Sequence, residues 1–580
     1  MTSFVIDNMP MCGAPLNTSK EKRSENVGLA LSGGINIAAA AGAAIMRGFQ
    51  QQTVTINDEE RPAMEAFTYV SGLSGGIIPT ILYVYAQTGT TNQLLDAEYN
   101  INPSQITKIA LNRKNKNCIQ HNLNNSQLKR LLPRVIFHGL RGDIQSAWTS
   151  GMYAATLQPF GIKRNQFFGP KTAKNEANTI VPRDDVRAEP LLNFVMAGQR
   201  GSAGEEFAEA FIKTKKKDSK ELTGKFNSPQ DITRLLEKVD NKTFIPYTAS
   251  PTEVGTHYCV PMKLNSGEII EDISCYHKPS EWGSKKNRFS LELALGMGSN
   301  IATLQGLGKG AQSTAEFNVA SQARKFMIGK KERTLIFTDG GLVDSLGVPA
   351  LAQKKMRHII ASVCGHGPVR KYARHYEETK DGDLEGWLMK SHTIALVDIA
   401  SYFGFFTGPE EGYILNHIFA DGKKHLTKLR ADLDALYLAG KPLITTMQDL
   451  EVIDNPYWGT KAGEKVDLTI IYWSAPKSFT SQVPRESVPP PQGQKETIDA
   501  TGSFTNEDFK EFPNLDGFAN FHTHTKTYAA IKYGSLSKAQ INMMSYLGSW
   551  MVKEAWEGLY IDGKQVFGGF KDILDTEFEC

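Results

Sequence analysis

Three times along the chain an unbroken apolar run ends in a small, glycine-rich turn and gives way to a second apolar or alanine-rich stretch. “NVGLALSGG” (26–34) leads into “INIAAAAGAAIMRGFQ” (35–50), “AFTYVSGLSGG” (66–76) into “IIPTILYVYA” (77–86), and “RTLIFTDGG” (333–341) into “LVDSLGVPAL” (342–351). Runs without polar alternation predict strands buried on both faces, and the alanine content after the first turn favours helix. “RHIIASVCG” (357–365) is a further buried-strand candidate. Strands alternating with helices predict an α/β fold with a mainly parallel central sheet covered on both faces.

Between these anchors the pattern weakens. Residues 1–26 are polar, with Pro and Gly, and read as an N-terminal tail; order is expected from Val27, with 27–580 as the main domain. Residues 101–240 are rich in Lys, Asn and Gln, with helical patches such as “DIQSAWTSGMYAATLQPF” (143–160), and read as an inserted subdomain or cap. “SQVPRESVPPPQGQKETIDATGS” (481–503) reads as an irregular surface loop, because its prolines cannot join a ladder or a helix interior. No repeat of the solenoid kind is visible. No apolar run reaches the roughly 18 residues of a membrane-spanning helix, so any membrane contact is expected to be peripheral.

Composition narrows the class only a little. With 580 residues, 41% hydrophobic and 22% charged, the chain can bury a large core without staples, and a net charge of +3 is too small to call for a nucleic-acid partner. The six cysteines are scattered, and the first residues lack a basic start followed by an apolar stretch. A reducing, cytoplasmic compartment is the expectation.

The chemistry concentrates at the turns. Gly72-Leu73-Ser74-Gly75-Gly76 fits G-x-S-x-G between a strand and a helix, a context that lifts a serine hydroxyl above a sheet edge at a helix N-terminus. A serine nucleophile needs a base and donors for the oxyanion formed on attack. Asp339, followed by Gly340 and Gly341, offers a carboxylate at another strand end; Gly33, Gly34 and Gly75 offer backbone N–H groups. Two plainer readings stand beside this one. Such turns also occur in doubly wound sheets simply because the chain must reverse, and helix N-termini bind phosphate; the second fits poorly, since the spacing is neither G-x-G-x-x-G nor followed by G-K-[ST].

“GLALSGG”, “GLSGG” and “DGGLVDSLGVPAL”, in this order, resemble the patatin-like and cytosolic phospholipase A2 acyl hydrolases. “EPLLNFVMAG” (189–198), “FIPYTASPTEVG” (244–255), “LELALGMGSNIATL” (291–304) and “FPNLDGFANFHTHT” (512–525) are similar to the cytosolic phospholipase branch. The resemblance implies a three-layer α/β/α fold and a lipid acyl hydrolase working through a Ser–Asp dyad without histidine or cofactor. It implies Ser74 as nucleophile, Asp339 as base, Gly33 and Gly34 as oxyanion donors, and a lipid substrate met at a membrane or micelle surface. Acyl transfer on the same dyad and a silent lipid-binding protein of the same fold are the alternatives. The chain departs from the pattern where the family carries a third glycine and then Arg or Lys: Ile35 and Ile37 stand there. With the pattern starting at Val27, calcium-driven docking through an N-terminal lipid-binding domain like that of the cytosolic enzymes is not expected, and the spacing ahead of Asp339 is short for the family's large cap.

Other features carry less. His257, Cys259, Cys275 and His277 form an H-x-C…C-x-H pair that a hairpin could gather, but the spacing is not that of common zinc modules, and no metal is expected. His522 and His524 share a strand face, again with ordinary explanations. The basic run at 213–225 reads as a solvated loop, and the aromatic stretch 401–419 as either a lipid-facing rim or core.

Overall fold

The structure, a computed structural model, describes residues 26–99, 117–123, 144–164, 166–199, 245–257, 289–299, 322–328, 331–364, 399–405, 415–483 and 538–575, with short pieces at 102–106, 130, 133–134, 262–263, 269–270 and 279. The elements that build the site are β1 (Val27–Leu31), α1 (Ile35–Gln50), β2 (Phe67–Leu73), α2 (Ile77–Tyr85), α3 (Ile144–Met152), β3 (Glu189–Gln199), β4 (Ile245–Ala249), β5 (Val254–Gly255) and α4 (Leu291–Gly298). They continue with β6 (Gln322–Ile328), β7 (Lys331–Asp339), α5 (Val348–Gln353), β8 (His358–Val363), α6 (Gly422–Leu438), β9 (Leu443–Glu451), β10 (Lys465–Tyr472) and α7 (Lys538–Glu554).

Ten strands form one sheet in the order β6-β7-β3-β2-β1-β8-β10-β9, with β4 also paired to β3 and β5 to β4. Five neighbours, β3-β2-β1-β8-β10, run parallel. The flanking strands run antiparallel. All five residues of β1 are buried, as its unbroken apolar pattern requires. Successive side chains of β1 leave on opposite faces: Leu31 packs against Gly42 of α1, while a Cβ at Gly28 would meet Leu351, just past the start of α5, at 2.7 Å. The sheet is therefore sandwiched between helices, a three-layer α/β/α arrangement. One apolar core runs from Val27 to Leu574.

Two expectations need correction. The stretch 101–240 is not an insertion throughout, because Glu189–Gln199 is a central strand beside the serine strand; its apolar run is diluted by the Lys- and Asn-rich residues around it. β7, expected to be parallel to β1 and β2, runs against β3. The described aromatics of the stretch 401–419 join the core: Tyr402, Phe403 and Phe419 are buried, and Phe405 is half-buried against it. Residues 213–225, 512–525 and 484–503 lie outside the described residues.

Candidate active site

β3 explains how two residues so far apart in sequence come together. Residues 192–196 of β3 pair with β4 along one edge. The other edge is shared: β2 takes 189–193 in parallel, and β7 takes 194–199 from the opposite direction. β2 and β7 thus lie end to end, with Leu73 beside Asn193 and Asp339 beside Phe194. Ser74 is the next residue after β2, so the two chain ends meet head-on.

At the meeting point the Ser74 hydroxyl donates to Asp339 Oδ2 at 2.8 Å, and the Gly341 N–H donates to Oδ1 at 2.9 Å. Asp339 is fully buried and Ser74 is 6% exposed. Burial pushes the Asp339 carboxyl up to about 7, with the bonds from Gly341 and Ser74 pulling the other way. No charged partner offsets the burial among those causes, so this aspartate is held close to neutrality in its affinity for a proton.

Ser74 sits at φ 51°, a left-handed conformation that is strained for a residue with a side chain. The turn is forced by what lies beneath it. A Cβ at Gly76 would come within 2.2 Å of the Leu31 carbonyl oxygen, so only glycine lets the helix start this close to the end of β1. Ser74–Gly76 form one tight helical turn that runs into α2. A Cβ at Gly72 would come within 2.6 Å of the Gly76 carbonyl oxygen, and one at Gly340 within 3.1 Å of the Asn193 carbonyl oxygen. All nine residues singled out in the sequence therefore lie around one spot.

The candidate oxyanion donors divide. Gly33 lies against Ser74, with its virtual Cβ 3.0 Å from the serine Cβ, but its N–H donates to the Ser345 carbonyl at 2.7 Å. Its expected role as a donor to substrate is corrected: that amide is already engaged. Gly34 precedes α1 at φ 133°, and Gly75 opens the turn after Ser74, so neither amide has a carbonyl one turn back in its own helix. Ile37, where the resembling family has a basic residue, packs its side chain into the core; the Ile35 side chain is outside the described residues.

No family model matches the chain, and no curated protein matches it. Among solved structures, human GIVD cytosolic phospholipase A2 is similar in fold at a TM-score of 0.41 and 11% identity, over 92% of this chain and 61% of that one. The chain thus spans about three fifths of that protein's length.

One contributor was not singled out as a site residue in the sequence. Asn193 donates to Ser71 Oγ at 2.8 Å and to the Gly72 carbonyl at 3.1 Å, and its side-chain oxygen accepts from Thr248 at 3.0 Å. It ties the serine strand to β3 and β4. Its place in “EPLLNFVMAG”, a polar residue inside an otherwise apolar run, was the available signal. Of the H-x-C…C-x-H set, only His257 is described, held down to about 4 chiefly by burial, and Cys259, Cys275 and His277 are outside the described residues, as are His522 and His524. Among the described residues no helix is long and apolar enough to cross a membrane.

Proposed function

We propose that the protein is a lipid acyl hydrolase that cleaves carboxylic esters through an acyl-serine intermediate on Ser74, with Asp339 as the base. The observation that carries this reading is the 2.8 Å bond between the Ser74 hydroxyl and a buried carboxylate 265 residues away in sequence. A base of affinity near pH 7 in hydrogen-bond reach of the nucleophile is what general-base catalysis requires. As Ser74 attacks an ester carbonyl, its proton passes to Asp339 Oδ2. The oxyanion then forms beside the Gly34 and Gly75 amides, where each preorganised donor contributes on the order of 3 kcal/mol. The alcohol leaves with the proton. Water, activated by the same carboxylate, releases the acid.

The lipid part of the reading rests on the surroundings and on the motif resemblance. Leu73 borders Gly33 and Gly340, and Ala38 borders Gly34, so the turns around Ser74 are packed with apolar side chains. Such a substrate would be met at a membrane or micelle surface in the cytoplasm. The near-complete burial of both reacting side chains favours testing a second reading, transfer of the acyl group to an acceptor other than water.

Incubation with a fluorophosphonate tests the assignment directly. Wild type is expected to label and Ser74→Ala to stay unlabelled; an unlabelled wild type points instead to a lipid-binding protein without turnover. Product analysis with added lysolipid separates hydrolysis from transfer.

A further inference from the structure

A second buried carboxylate makes contacts that end in the site. Asp344 is 1% exposed. Its Oδ1 accepts from the Leu346 N–H at 3.1 Å and from the Tyr402 hydroxyl at 2.5 Å, and its Oδ2 accepts from the Gly347 N–H at 2.7 Å. A carboxylate can satisfy every one of these donors; an amide cannot. The bonds curl residues 344–347 into a tight loop that ends at Gly347 with φ 78°. Two carbonyls of this loop point outward. That of Ser345 accepts the Gly33 N–H at 2.7 Å, and that of Gly347 accepts the Ser71 hydroxyl at 2.9 Å. Gly33 belongs to the turn after β1, and Ser71 belongs to the strand that carries Ser74.

We propose that Asp344 is a positioning residue of this site, which acts through the Ser345 carbonyl to fix the Ser32–Gly33 peptide, and so the turn from which the next peptide starts, so that Gly34, and not Gly33, presents its amide to the oxyanion. The inference rests on the Ser74–Asp339 reading and extends it. Gly33 is an anchor: its amide is bound from behind, and its missing side chain lets Ser74 stand 3.0 Å from its virtual Cβ. Gly34 at φ 133° then carries the chain into α1. Donors fixed before the reaction need no reorganisation when charge develops, so a loop that holds the turn ahead of Gly34 acts on the transition state more than on the bound substrate. The same loop grips β2 through Ser71, keeping donor and nucleophile in one frame.

The test is Asp344→Asn, which keeps the shape and places an NH2 against donors that cannot accept from it. For a p-nitrophenyl acyl ester, kcat is expected to fall by about 10- to 100-fold with KM within about twofold. A trifluoromethyl ketone, which forms a tetrahedral adduct with a serine, should lose affinity by the same factor. Its unreactive methylene analogue should bind as before. Folded Asp344→Asn with kcat within twofold of wild type, or equal loss of both ligands, overturns the proposal. Tyr402→Phe removes one donor and is the milder variant should Asp344→Asn not fold; an unchanged ratio of the two affinities there overturns it as well. A wild type that neither turns over esters nor prefers the ketone fells the Ser74 reading and this inference with it, whereas an active wild type with an equally active Asp344→Asn fells only the positioning role.

Discussion

Asp339 is the residue at which function and stability pull apart. As a base it must be ionised, so activity should rise with pH through about 7 and level off above it. For stability the sign is opposite. The folded protein holds the Asp339 proton more tightly than an unfolded chain with the ordinary value of 3.8, so this contribution is full below about pH 4 and is lost as pH rises to about 7. At about 1.4 kcal/mol per pH unit, ionised Asp339 destabilises the fold by up to about 4 kcal/mol. Asp339→Asn should therefore abolish ester hydrolysis yet unfold at a higher urea concentration than wild type at pH 8, with the gap closing toward pH 4. Denaturation midpoints across that range check it, and a variant less stable than wild type at pH 8 contradicts the origin assigned to the raised affinity. This much was legible in the sequence as a carboxylate at a strand end; the affinity was not, because it depends on which long-range neighbours bury the group.

At the scale of elements, the strand-to-helix turns after β1 and β2 could be read because their signals are local: an apolar run, glycines and then a helix former. The direction of β7 could not. A nine-residue strand with a short apolar run at its centre looks the same whichever way it pairs, and only the register against β3 shows that it meets β2 end to end. Gly33 failed for a related reason. A backbone amide shows nothing in sequence of the carbonyl it will find, and the Ser345 carbonyl lies more than 300 residues along the chain. Asn193 is the hinge pin of this arrangement, since β2 ends beside it and β7 ends beside its neighbour. Removing its side chain leaves Thr248 without that acceptor and the Gly72 carbonyl without that donor, in a place where water does not reach. Asn193→Ala should lose about 1–3 kcal/mol of stability in urea titrations and more than about 10-fold in ester hydrolysis. Lost stability with full activity would mean that the shared edge of β3 is not what aligns Ser74 with Asp339.

At the scale of the whole molecule, the first helix after the site is clamped by the last long one. α7 crosses α1 where both are smallest: a Cβ at Gly48 would meet Val552 at 2.8 Å, and one at Gly548 would meet Ala44 and Trp473 at 2.7 Å each. Ser549 donates to the Ala44 carbonyl at 3.2 Å, and buried Arg47 donates to Ser545 at 2.8 Å. Arg47 also lies over the Tyr546 ring at 5.0 Å, so the charge that burial disfavours is answered by Asp96 first and then, from α7, by Tyr546. Because Gly34 is the residue just before α1, the helix's position bears on where that amide points, and α7 decides how firmly α1 is held. Gly548→Val brings two further methyl groups into a contact with the Ala44 methyl and a buried indole that cannot yield. It should destabilise the protein by about 1–3 kcal/mol, as overpacking does. If α1 transmits the displacement, kcat for an ester should fall at temperatures where circular dichroism shows the chain still folded. Gly548→Ala should show the same effects in smaller measure. Unchanged kcat in folded Gly548→Val would mean that the turn at Gly33 and Gly34 is held by the Asp344 loop alone, independently of the helix that follows it.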